Sequence, residues 1–173
     1  MSQVNVGGKE TSEAGGRIRA VLDTNVWVDI FLHDVILPPK QPYTAILDAF
    51  FDDKFEPVYC AETRDELEQV LKYAKSVGIK YNTSPALVDE FIQSMLQDQH
   101  AGVFVEITGE VFVCSDEDDD KFAEAAVVGH ARYLVSNDPH LHEHAVKQYL
   151  APHGIRVLWA PEFRKILDQI PAK

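Results

Sequence analysis

The fold class that this sequence predicts is α/β, a three-layer α/β/α sandwich around a central, mainly parallel sheet. Short apolar runs alternate with amphipathic segments almost throughout. The runs are apolar along their whole length, as in strands covered on both faces, rather than alternating as in sheets with one wet face. Acidic residues recur just beyond those runs, at the strand ends where ligands bind in open α/β sheets.

The first run, Ile18 to Leu22, follows Gly15-Gly16 and reads as a buried strand. Asp23 ends it, and Val26, Trp27, Ile30 and Phe31 then recur at helical spacing. Among such apolar neighbours Trp27 reads as core. Pro42 to Phe51 reads as a helix with proline in its first turn. Glu56 to Cys60 is a short strand with Pro57 near its start. Ala61 to Ser76 is a helix with Leu67, Val70, Leu71 and Ala74 on one face, stopped by Gly78. Ser84-Pro85 opens a further helix whose stripe is Leu87, Val88, Phe91, Ile92, Met95 and Leu96.

Val103–Ile107 and Val111–Cys114 read as two β-type runs separated by Gly109. Five acids follow, Asp116 to Asp120, then a small-residue helix with Phe122, Ala123, Ala125, Ala126 and Val127. Tyr133 to Asn137 is a strand ending at Asp138, and Pro139 leads into a helix rich in histidine. Ile155 to Trp159 is the last strand. Pro161 opens the last helix, with Phe163, Ile166, Leu167 and Ile170.

A length of 173 residues suits one domain with a real core. Residues 1–17, polar and glycine-rich, read as a flexible leader, leaving 18–173 as a single domain. No run of 18 apolar residues calls for a membrane span. Cys60 and Cys114 each end an apolar run and read as small hydrophobes of a reduced, cytoplasmic protein. The net charge of −12 argues against a protein that coats nucleic acid, since that affinity comes from Lys and Arg on phosphates. An acidic chain can still act on a phosphodiester when part of its charge is a metal cage.

Parallel strands present their C-terminal ends at one sheet edge, so Asp23, the Asp116–Asp120 run and Asp138 share one address. Glu66, one turn into the helix after Cys60, is a fourth candidate. Each acid has a plainer reading. Asp23 or Thr24, and likewise Asp138, would cap the helix that follows. Thr63-x-x-Glu66 fits a capping box, and the acidic run could be a solvated loop at a helix N-terminus. Together, however, they are costly. Two carboxylates about 6 Å apart repel by roughly 3 kcal/mol at an effective dielectric of about 20. Convergence therefore calls either for protonation or for a divalent cation. Oxygen ligands without suitably spaced Cys or His favour Mg²⁺ or Mn²⁺ over Zn²⁺. His140 and His144 have i, i+4 spacing, but no zinc-protease acid lies between them, and with His142 they are set aside as ligands.

Val21-Leu22-Asp23-Thr24-Asn25, Glu62-x-x-x-Glu66-Leu67, Asp116-x-x-Asp119-Asp120-Lys121-Phe122 and Tyr133-Leu134-Val135-Ser136-Asn137-Asp138 resemble the four signature blocks of PIN-domain proteins. They are most similar to the branch described as toxin components of toxin–antitoxin pairs, and the resemblance runs from about Ile18 to Ile170. It implies a Mg²⁺- or Mn²⁺-dependent ribonuclease. It places catalytic and metal-binding roles on Asp23, Glu66, Asp119 and Asp138. Glu62 is the alternative glutamate, and Asp120 is a further metal-ligand candidate and the alternative to Asp119. Thr24 and Asn25 would orient the first acid, Ser136 and Asn137 the last. The implied partners are RNA, an antitoxin protein and a second copy in a homodimer. Arg64, Lys72 and Lys121 are the cations nearest in sequence for an RNA backbone.

Two rivals remain. A haloacid-dehalogenase-type phosphatase would need aspartate where Asn25 stands. A non-catalytic PIN-like module binding RNA or protein agrees with the net charge, but has no reason to keep four costly carboxylates together.

Overall fold

In the computed structural model the described residues are 17–73, 81, 83–96 and 102–171. Five strands form one all-parallel sheet: β1 (Ile18–Leu22), β2 (Phe55–Tyr59), β3 (Val103–Phe104), β4 (Tyr133–Val135) and β5 (Arg156–Leu158). The order β3-β2-β1-β4-β5 puts β1 in the centre. From β1 the chain builds outward through β2 and β3, then returns to its other side with β4 and β5. The strand order reverses at β1, and such a reversal opens a crevice at the carboxyl ends of the strands.

Alternation along the central strands explains the layers. Ala20 and Leu22, with Tyr133 and Val135, pack into one core, while Val21 and Leu134 enter the other. The first core is covered by α1 (Thr24–Phe31), α2 (Tyr43–Phe51), α3 (Ala61–Tyr73), α4 (Pro85–Leu96) and α7 (Ala160–Leu167). Trp27 is 6% exposed there and meets Phe91 edge-to-face. The second core is covered by α5 (Asp120–Val128) and α6 (His144–Leu150), through Phe122, Ala123, Ala126, Val146 and Leu150. The small residues of α5 let it lie close to the sheet. At its C-terminal end, a Cβ on Gly129 would stand 2.3 Å from Val58 Cγ1.

Three expectations need correction. The Val111–Cys114 run is not a strand: its amides are taken by a side chain instead of a sheet partner. Val113 N and Cys114 N both donate to Asp120 Oδ1 at 2.8 Å. Just upstream, Thr108 N, Thr108 Oγ1 and Gly109 N donate to Glu124. Two carboxylates of α5 thus hold the loop that the apolar pattern made look like sheet. Second, Thr63 is not an N-cap paired with Glu66. α3 begins at Ala61, and the Thr63 hydroxyl folds back to the backbone of Cys60. Third, the histidines after Pro139 do not share one helix. Pro139–His142 is a 3₁₀ turn, and α6 starts at His144. The leader through residue 16, and the end of the third predicted helix at Ser76 and Gly78, lie outside the described residues.

Candidate metal centre

The register places the first and last acids side by side. Leu22 pairs with Val135, and Asp23 N donates to Val135 O at 2.9 Å. Asp23 and Ser136 are therefore the first residues past two neighbouring strands, at one edge of the sheet. Asp23 is 4% exposed, yet its side chain makes no cap bond to α1. Ser136 Oγ at 2.5 Å and Asn25 Nδ2 at 2.6 Å both donate to Asp23 Oδ2. Ser136 Oγ in turn accepts from Asp138 N at 2.8 Å, so one buried hydroxyl ties the first acid to the backbone of the last. Asn137 N donates to Asn25 Oδ1, and Asn137 also holds Tyr43 and the start of α7. Ser136 and Asn25 each serve both strand ends: Ser136 bonds the first acid and the backbone of the last, and Asn25 bonds the first acid and the backbone of Asn137. The Thr24 hydroxyl is buried without a hydrogen-bond partner.

The third and fourth acids arrive from opposite layers. Asp119 lies at the N-terminus of α5, half-buried and without a cap bond of its own. Its Oδ2 is closed to solvent and has no partner. Its neighbour Asp120 is 6% exposed and gives Oδ1 to the Val113–Cys114 amides, while its Oδ2, like that of Asp119, is buried without a hydrogen-bond partner. Glu66 comes from α3 and forms an ion pair with Lys121 of α5. Of the three cations considered from sequence, Lys121 stands beside the acids. Lys72 is committed to Glu68 and Asp89, and Arg64 to Asp65. Asp138 Oδ1 accepts from His140 N at 2.9 Å, so the cap reading of Asp138 is correct for that oxygen.

Charge coupling shows that the acids converge. Burial pushes the Asp23 carboxyl up to about 6; the Ser136 bond opposes this, and the charges of Glu66 and Asp138 add to it. Burial likewise raises Asp119 to about 7, helped by Asp23, Asp138 and Asp116 and opposed by Lys121. Acids separated by as many as 115 residues in sequence thus feel each other's charge through a poorly solvated rim. A divalent ion would relieve that repulsion, and the stranded Asp119 Oδ2 offers it a ligand that hydrogen bonding has not claimed. The residues fit such a cation.

Sequence reasoning missed two neighbours of this set. Ligand atoms of Asp116, Asp119 and His140 lie within 4.8 Å of one another. Asp116 was legible only as one acid of five, and His140 is set aside in the sequence because no zinc-protease acid lies between it and His144; the acids it meets here lie 21 or more residues upstream. Further along the rim, the His142 ring stacks on Trp159 with centroids 3.7 Å apart. Its Nε2 bonds Ser136 O.

A family model described as PIN domain matches residues 19–140, which includes all four acids. The chain belongs to the PIN-domain family. PIN domains are generally nucleases and typically depend on a divalent metal. The parallel five-stranded PIN fold and its acidic cluster are thus both present here. Comparison with curated proteins and with solved structures gives no match. Among the described residues, no helix of this PIN domain is long and apolar enough to cross a membrane.

Proposed function

We propose that this PIN domain is a Mg²⁺- or Mn²⁺-dependent endoribonuclease. One observation carries the reading: Asp23 and Asp119, 96 residues apart in the sequence, are each raised toward neutrality by burial and by the charges of other acids on the same rim. Asp23, Asp119 and Asp138 hold the cation, and Glu66 assists. When bound, the ion lowers the pKa of a water and neutralises charge developing on the phosphate. Ser136 and Asn25 fix the Asp23 carboxylate, leaving little of its rotamer freedom to be lost on binding. Lys121 pairs with Glu66 and offsets part of the negative charge around Asp119. Asp120 anchors the 108–114 loop through its bonds to Val113 and Cys114. An acidic surface makes the attraction to RNA weak beyond the site itself, which suits a nuclease that engages its substrate locally.

The test is incubation of single-stranded RNA with the protein in Mn²⁺, in EDTA, and with Asp23→Asn in Mn²⁺. Cleavage in the first reaction alone is expected. Equal RNA integrity in all three removes the activity. A toxin role with an antitoxin partner is supported by the similarity of the four sequence blocks, and a homodimer accompanies that assignment. Co-purification with a small partner encoded beside it checks the first, and light scattering checks the second.

A further inference from the structure

Trp159 stands at the same level of the sheet as Asp23. Leu22 pairs with Val135 and Val135 with Leu158, so Asp23, Ser136 and Trp159 are the next residues on three adjacent strands. Leu22, Val135 and Leu158 all enter the first core, and alternation sends the three residues that follow to the opposite side. The bond from Ser136 Oγ to Asp23 Oδ2 agrees with that placement. Two strand spacings put Trp159 roughly 10 Å from Asp23 along the rim, within reach of adjacent nucleotides.

The indole is braced in this position. The His142 imidazole lies parallel to it, with 3.7 Å between centroids and 5° between planes. A carbonyl oxygen only accepts, so the 2.9 Å contact between His142 Nε2 and Ser136 O puts the proton on Nε2 and fixes the ring. Ser136 therefore holds the first acid through its hydroxyl and the stack through its carbonyl. With one indole face under the imidazole, Trp159 is still 37% exposed, against 6% for Trp27. The start of α7 does not need this side chain. Trp159 N donates to Glu162 Oε2 and Trp159 O accepts from Glu162 N, both through the backbone.

We propose that Trp159, backed by His142, is the platform on which one base of single-stranded RNA stacks beside the scissile phosphate. The platform presupposes the ribonuclease reading above and names the source of its affinity. A net charge of −12 leaves little general attraction for phosphates. Stacking needs no charge, and every base has a π-face, so the platform tolerates sequence and binding through it depends weakly on salt.

The test uses the full chain in Ca²⁺ with short single-stranded oligoribonucleotides, read by fluorescence anisotropy of an end label. One oligomer is intact, and a series carries an abasic sugar at each position in turn. Wild type should lose about tenfold in affinity when one particular base is missing. Trp159→Ala and Trp159→Leu should each bind the intact oligomer about tenfold more weakly and be indifferent to that missing base. Trp159→Phe should stay within about threefold of wild type and keep the discrimination. Melting verifies folding, and Trp159→Leu, which keeps bulk without an aromatic face, carries the test if Trp159→Ala unfolds. Full-strength binding by folded Trp159→Ala or Trp159→Leu, or an abasic penalty that persists in them, overturns the platform. So does a folded wild type that binds none of the oligomers. Base-dependent binding without cleavage in Mn²⁺ overturns the nuclease reading and leaves the platform standing.

Discussion

Replacing Asp23 by Asn should make the metal-free protein more stable at pH 8, although it removes a residue from the centre of the fold. A carboxyl whose pKa is about 6 when folded, against 3.8 ordinarily, favours its protonated form by about 3 kcal/mol, at about 1.4 kcal/mol per pH unit. The folded state binds this proton more tightly than the unfolded state. Without metal, stability therefore declines as pH rises from about 4 through about 6, then levels. Asparagine removes the charge. Its carbonyl still accepts from Ser136 and Asn25, but the amide half forfeits some of that bonding, so a gain of about 1–2 kcal/mol is expected. Urea unfolding in EDTA at pH 8 and pH 5 provides the assay. The gain should be present at pH 8 and shrink at pH 5, where the wild-type carboxyl is protonated. In Mn²⁺ the order should reverse, because an ion at 100 times its Kd adds about 2.7 kcal/mol to the form that binds it. If Asp23→Asn destabilises equally at both pH values in EDTA, the buried charge is not strained and the reasoning fails.

Ser136→Ala removes the donor to Asp23 and strands Asp138 N, both at a fully buried residue. A loss of about 1–3 kcal/mol in urea unfolding is expected, along with weaker Mn²⁺ binding by titration calorimetry. Lys121→Met frees Glu66 from its ion pair and withdraws the charge that holds Asp119 down. Mn²⁺ affinity should rise several-fold while metal-free stability falls; unchanged affinity would place Lys121 outside the site's electrostatics. Glu124→Gln weakens the clasp on Thr108 and Gly109. Burial pushes Glu124 up, but bonds from Thr108 and Gly109 outweigh it and hold the carboxyl below its usual range. That contribution is present at neutral pH and is lost as pH falls through the acid range. Hydrogen exchange should accordingly show faster opening of residues 108–114 in Glu124→Gln at pH 7, with little difference from wild type at low pH.

The sequence by itself determined the alternation of strand and helix and the Asp23 and Asp138 strand ends, because apolar periodicity and turn residues are local signals. It also contained the four spaced blocks, which sufficed to place the chain among PIN domains. It misread Val111–Cys114, since an apolar run looks the same whether its amides meet a strand or the carboxylate of Asp120. Only the tertiary structure decided which oxygens are already spent. Asp119 and Asp120 are adjacent and chemically alike, yet the charges of Asp23 and Asp138 act on Asp119, while Asp120 gives one of its two oxygens to the loop amides. Only the tertiary structure brought His140 to Asp116 and Asp119, because side chains gathered from two turns at a sheet edge have no fixed spacing along the chain.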